Sequence, residues 1–456
     1  MNKRSLRYEN KEINRVLKYQ KDEIDNIGHL DIRETEENIR ETEELLKMLG
    51  VELPQINNNK EDKVKLQVEI PSWEELVSEA ESKTNEVVPL ESLLSKEDIK
   101  NSEIALEKWN QEFNSIHRLD KYDIAISALG AIVGAMIDLL LVGIPHKTPD
   151  GLKAGKLSDY IREYFNKKYP EAEMEKLANS KASKVPFDAQ DNRHTKIKVE
   201  GLSAYYHRLL SLGHDPVLGF VVGVLDIMNG NMTTIDKNGK FVIQAIDIYA
   251  ERKEGNIFKA FAKQLIHFKS DITTSMGLPA PLMGLFNLLQ FGSIGEEEQT
   301  IAEVVQGMYY EGYDFIHFCS MSIPVMITEV VVRLLYSFKR IKEGNRVIDS
   351  IPFSLNREKN PKLATMLFIA HSGATAINLG KVRFTKNPMA INYPQWITFA
   401  KYSYQQLKWV LIEKPLACYY FIEDKIDEEL EEIYEDIDHL MEEMKDDVIF
   451  VESKDN

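Results

Sequence analysis

The alternation of polar and apolar positions changes character along the chain. Residues 1 to about 50 are charged and carry a short seven-residue repeat. Ile32, Ile39 and Leu46 fall on one seam, with Thr35, Thr42 and Leu49 as the second set. Two and a half heptads are too few for a coiled coil, so the spacing predicts a helix docked on its own domain or on a partner. Residues 51 to 71 hold Pro54, three asparagines from Asn57 and Pro71, and read as a linker. Within it the alternation of Lys63 to Ile70 predicts one strand. Ser72 and Ser95 stand where helix N-caps belong, and polar helices follow to about residue 120.

The pattern then turns apolar. In the 21 residues from Ile124 to Ile144 the only charge is Asp138, and Gly130, Gly134 and Gly143 are spaced for close helix contact. The length suits a bilayer span. A helix buried in a large helical core would show the same pattern, and both readings stand. A second apolar run, Val217 to Met228, is broken by Gly219, Gly223 and Asp226. Turn residues from 229 to 240 predict a short hairpin through Phe241. Helical spacing resumes over 258–271, 282–291, 301–310 and 323–338, the last with Glu329 and Arg333 four apart. Leu363 to Leu379 carries His371, Trp396 to Ile412 is a further core helix, and the chain ends in a strongly acidic helix. Its apolar stripe is Ile422, Ile426, Leu430, Ile433, Ile437, Leu440 and Met444.

These periods predict an all-α fold: a multi-helix bundle with apolar central helices, at most a minor β-hairpin, and polar amphipathic helices at both ends. Four regions follow: a charged helical segment (1–50), a linker with polar helices (51–120), an apolar helical core (121–418) and an acidic helix and tail (419–456).

Charge and cysteine usage narrow the chemistry. A net charge of -17 argues against a nucleic-acid binder, which needs basic side chains against phosphates. With only Cys319 and Cys418, neither a disulfide framework nor a cysteine zinc site is available. The basic N-terminal residues have no apolar stretch behind them, so a signal peptide is not expected. The expected place is intracellular, in the cytoplasm or at the inner face of the membrane, not secreted. Membrane contact through the apolar segments and a protein partner for the acidic terminal helices are the expected associations.

Metal-type ligands gather in the apolar middle. His267 and Asp271 lie one helical turn apart on one face, where an imidazole nitrogen and a carboxylate oxygen can meet one cation. His207 and the pair His214-Asp215 precede them, and Asp138 lies in the first apolar helix. There an ionised carboxylate must be paired, ligate a metal or be protonated. Ligands pointing inward from several helices of a bundle can converge on one or two ions. The expected metal ligands are therefore His267, Asp271, His214, His207 and Asp138, with Asp215 orienting a ligand or acting as base. Without cysteine, zinc or manganese is the expected divalent metal. Two ions a few ångströms apart suit phosphoester hydrolysis, because they stabilise both the attacking and the leaving oxygen. His317 and His371, in apolar helices, read as structural.

The run His267-x3-Asp271-x2-Thr274-x2-Gly277, followed by Pro279, resembles the H-x3-D-x2-T-x2-G signature of the YdjM-like, inner-membrane-bound metal-dependent hydrolases. That family also has an upstream apolar, glycine-containing segment ending in acids, to which Gly130–Asp138 is similar. Its HR-x-x-T-H-S motif is similar to His207-Arg208 with Ser211 and His214. One aspartate stands where the family has a pair, and the two histidines are seven apart, not five. The resemblance covers residues 124 to about 285 and implies a metal-dependent hydrolase without naming a substrate; lipid phosphoesters fit the apolar setting. The alternative is a non-enzymatic, membrane-associated or assembly protein whose buried histidines serve packing.

Overall fold

The computed structural model describes residues 3–28, 32–48, 66–83, 88–89, 92–149, 151–274, 277–294, 297–445 and 448–452. Much of the expected linker and Lys63–Lys65 lie outside these residues. Four helices open the chain: α1 (Lys3–Gly28), α2 (Ile32–Met48), α3 (Trp73–Lys83) and α4 (Lys96–His117). The central region holds α5 (Lys121–Ile137), α6 (Lys156–Lys168), α7 (Glu171–Ala178), α8 (His207–Leu210), α9 (Val222–Asn229) and α10 (Ile257–Asp271). It continues through α11 (Ile301–Tyr310), α12 (Phe315–Lys342), α13 (Val347–Ser350), α14 (Leu363–Thr385) and α15 (Tyr393–Lys408), and α16 (Lys414–Met444) closes the helical order.

Strands are few and paired in twos. Strand β1 (Leu66–Ile70) runs parallel to the last strand, Val448–Glu452. His146–Thr148 (β2) and Gly151–Lys153 (β3) form one hairpin; Asn231–Ile235 (β4) and Phe241–Ala245 (β5) form the hairpin that the turn residues predict. The fold is the expected multi-helix one, with slightly more strand than the single hairpin foreseen.

The described chain divides into two compact units, residues 1–115 with 414–456, and residues 116–413. In the first, α1 lies along α3. In the second, α5 packs on both α12 and α14. Its small residues make that contact close. A Cβ on Gly134 would stand 2.0 Å from Thr328 Oγ1, and one on Gly130 2.5 Å from Val332 Cγ2. The small residues Gly130, Ala131, Gly134 and Ala135 are buried, while Ile124, Leu129, Ile132, Met136 and Leu140 stand exposed on the outer face. Apolar outside and small inside is the reverse of a water-facing helix. Three segments, Lys96–Val142, Phe315–Lys342 and Leu363–Thr385, are long and apolar enough to cross a membrane by length and composition. The pair expected within α12 forms: Arg333 donates to Glu329 at 3.1 Å, and the Tyr402 hydroxyl donates to the same carboxylate at 2.7 Å.

A separate core lies within the second unit, built from Val185, Phe187, Ala189, Leu210, Ile227, Met232 and Ala260 among others. It joins an irregular loop, the β4–β5 hairpin, α9 and α10, and the ligand-bearing segments rest on it.

Candidate metal centre

Helix α10 begins at Asn256, whose side chain accepts from the amides of Phe258 and Lys259 and so satisfies two orphan donors of the first turn. Ala260, Lys263, Gln264, His267, Ser270 and Asp271 repeat at helical spacing on its buried face. His207 opens the short α8, and His214 ends the 3-10 turn Leu212–His214. Gly213 holds that turn against the Phe187 ring, where any Cβ would sit 2.7 Å from the ring carbons. The same ring meets the edges of His214 and His267 at centroid distances of 5.1 and 5.4 Å.

Five side chains converge here. His207 Nε2 and His214 Nε2 lie 3.4 and 3.6 Å from Asp188 Oδ1. His214 Nε2 and His267 Nε2 lie 3.8 and 3.5 Å from Asp271 Oδ2. They form two overlapping ligand groups, Asp188–His207–His214 and His214–His267–Asp271, sharing His214. Nε2 of all three histidines and Oδ2 of Asp271 are buried and accept or donate no hydrogen bond. Leaving four such atoms unsatisfied is costly unless a further group meets them. Ligands about 2.0–2.1 Å from a tetrahedral ion stand about 3.3–3.4 Å apart, which matches the shorter of these separations.

Supporting contacts aim the ligands. His207 Nδ1 donates to the Ala204 carbonyl at 2.9 Å; a carbonyl only accepts, so Nδ1 carries a proton and the bond turns Nε2 toward Asp188. Asp271 Oδ1 accepts from Arg208 Nη2 at 3.1 Å, leaving Oδ2 to face the histidines. Arg208 Nη1 donates to Thr274 Oγ1 at 2.7 Å and to the Gly277 carbonyl at 3.2 Å. Thr274 Oγ1 in turn donates to the Asp271 carbonyl at 2.9 Å. Gly277 has φ +62, and a Cβ there would meet Asp314 Oδ2 at 3.2 Å, so the turn favours glycine. The threonine and glycine of the sequence pattern thus serve to seat Arg208 on Asp271.

The electrostatics suit a cation. Burial by itself would raise the Asp188 carboxyl, but the neighbouring His207 and His214 imidazoles hold it well below the usual carboxylate range. Burial lowers His214 to about 4, against the opposing pull of Asp188. An ionised carboxylate and a neutral imidazole are the forms that bind metal. The side chain of Asp188 is 26% exposed, whereas those of His207, His214, His267 and Asp271 are at most 4% exposed. Solvent therefore reaches the cluster beside Asp188.

Of the residues expected from sequence, His207, His214, His267 and Asp271 come together. Asp138 does not, and its expected metal role is corrected. Its Oδ1 accepts from Asn392 Nδ2 at 2.8 Å, and its Oδ2 from Asn378 Nδ2 and Lys381 Nζ, both at 3.1 Å. An ammonium already neutralises it, so a second cation gains little there. Asp215 joins neither ligand group. Its Oδ1 accepts from the Val217 and Leu218 amides, both at 2.9 Å, and caps the turn after His214. Burial raises its pKa against those amide bonds. Asp188, absent from the expected set, belongs to the first of the two groups that could hold a cation. No local period marks it: Val185, Pro186 and Phe187 are all buried and the segment is irregular, so only the packing of this loop brings the carboxylate to the histidines. His371, packed on the Tyr402 ring at 5.1 Å, and His317, beside the Tyr313 ring at 5.3 Å, belong to neither group.

No known family, curated protein or solved structure matches this chain.

Proposed function

We propose that this chain is a metal-dependent hydrolase of phosphoesters, with zinc or manganese held by Asp188, His207, His214, His267 and Asp271. The observation that carries the reading is the convergence of three histidine Nε2 atoms and a carboxylate oxygen, all buried and unpartnered, on one place. The resemblance of His267–Gly277 to the YdjM-like signature supports it. A bound divalent cation would supply Lewis acidity toward a phosphoryl oxygen and make water a better nucleophile near neutral pH. The chain's own part is to keep Asp188 ionised and His214 neutral, to fix Asp271 through Arg208, and to keep the histidines dry while leaving Asp188 open to substrate. Lipid phosphoesters are the substrates that suit three bilayer-length apolar helices in the same protein.

The test is elemental analysis after purification without chelators, followed by hydrolysis of a bis-aryl phosphodiester and of phosphatidyl substrates in mixed micelles. The expected result is stoichiometric zinc or manganese, activity lost on chelation and restored by that metal. Protein that folds and holds no transition metal overturns the reading. The second reading, a non-enzymatic assembly protein, draws on the exposed apolar stripe of α16. It requires that His267→Ala and Asp271→Ala lower stability while no separate activity disappears.

A further inference from the structure

Helix α10 is apolar on the side turned away from the metal ligands. Phe258, Phe261 and Leu265 are exposed there, Phe258 at 82%. Nine residues separate Phe258 from His267, which is two and a half helical turns, so the two point to opposite sides. Beside this face Phe220, together with Val221 and Leu225 at the start of α9 and within it, stands exposed as well. The Phe220 ring joins the two stretches, its centroid 5.7 Å from that of Phe261. So many large apolar side chains together on a surface mark an interface.

The charges around it say what the interface meets. Residues 217–229 and 256–271 hold two acids, Asp226 and Asp271, and both are buried. Glu254, just ahead of α10, turns back to Lys263 at 3.8 Å. The charges these stretches leave exposed are Lys259 and Lys269, in a chain whose net charge is -17. Phenylalanine, leucine and valine bordered by lysine alone make up a face that lies in the boundary of an anionic bilayer, the ammonium groups reaching to the phosphates. Each lysine near such a surface strengthens binding about fivefold. We propose that the exposed face of α9 and α10 seats in the headgroup boundary of an anionic membrane and so brings the metal centre to the level of the lipid phosphates. A helix with its side chains is about 10–12 Å across, and interfacial helices sink about 5–10 Å. His267, on the far side of α10, then stands just above the acyl chains, where the phosphoesters of lipid headgroups lie. The seating stands on the patch alone, whereas its gain for catalysis rests on the hydrolase reading.

The test uses the full chain in nanodiscs of mixed phosphatidylglycerol and phosphatidylcholine. In a Cys319→Ser/Cys418→Ser background, Phe258→Cys and Leu265→Cys each carry a nitrobenzoxadiazole dye. The expected result is blue-shifted emission, quenched more by lipid spin-labelled near the headgroup than by lipid spin-labelled near the chain end, and little by dissolved iodide. Quenching by lipid is expected to weaken in discs of phosphatidylcholine alone. A dye open to iodide, a dye that neither quencher reaches (as under a protein partner), or equal lipid quenching in both kinds of disc overturns the proposal. Stronger quenching from the chain end also overturns it, because it sets α10 in the hydrocarbon. None of these readouts needs metal or turnover, so an inactive wild type would refute the hydrolase reading and leave the seating standing. For the catalytic consequence, Phe258→Asp/Leu265→Asp is expected to lower hydrolysis of phosphatidylglycerol in vesicles about tenfold or more. Metal content and hydrolysis of the soluble bis-aryl phosphodiester are expected to stay unchanged, and equal losses on both substrates overturn the link between seating and substrate.

Discussion

Arg208 shows how a residue outside the ligand set can govern it. Its guanidinium joins the Asp271 carboxylate, the Thr274 hydroxyl and the Gly277 carbonyl, a planar fork that an ammonium cannot reproduce. Arg208→Lys is expected to weaken metal binding about 10–100-fold, read by competition with a metal-sensitive dye, while secondary structure persists. Wild-type affinity in that variant would show that Asp271 is oriented by the helix alone. Asp188→Ala is expected to lower metal stoichiometry, because it removes the carboxylate that faces His207 at 3.4 Å and His214 at 3.6 Å. Asp226 offers a pH test away from the centre. It is buried, accepts from the Thr233 amide at 2.8 Å and hydroxyl at 2.7 Å, and burial raises its pKa from the ordinary 3.8 to about 6. Below both values the two states are equally protonated. As pH rises through this window the unfolded chain loses its proton first, so stability falls, by up to about 3 kcal/mol above the folded value. Asp226→Asn keeps both contacts with the threonine hydroxyl turned. The difference in stability between variant and wild type is expected to grow from pH 4 to pH 7, and a flat difference in denaturant melts would refute it.

At the scale of elements, the contact of α5 with α12 rests on two glycines. Gly134→Ala places a methyl against Thr328 Oγ1, itself pinned as donor to the Pro324 carbonyl at 3.1 Å. A loss of about 3 kcal/mol or more is expected from the forced separation. Gly380, in α14, has open space around it, so Gly380→Ala is expected to stabilise by about 0.5–1 kcal/mol through helix propensity. Opposite signs in thermal melts check the pair. The small-residue spacing made this contact readable from sequence, since Gly130 and Gly134 are four apart on one helical face. The π-helical turn that carries Asp138 past α5 was not readable, because nothing in a local period marks an i to i+5 bond.

For the whole molecule, the three long apolar helices set the expectation that the chain stays with membranes after an alkaline carbonate wash and leaves only with detergent. Release by carbonate alone would mean that their exposed apolar faces meet protein instead.

Sequence by itself determined the helices, their apolar and polar faces, and the His267–Asp271 pair, because each follows from a period of 3.6 residues within one element. It also brought forward His207 and His214, which stand within eight residues of each other. Tertiary structure alone decided the fate of the carboxylates. Asp138 stands in an apolar run and Asp188 in a polar loop, and neither local pattern tells which acid faces the histidines. Lys381, Asn378 and Asn392, more than 200 residues along the chain, claim the first, while the packing of Phe187 on His214 and His267 presents the second to the histidines. A buried charge is settled by what lies across from it in space, and that neighbour is supplied by the fold.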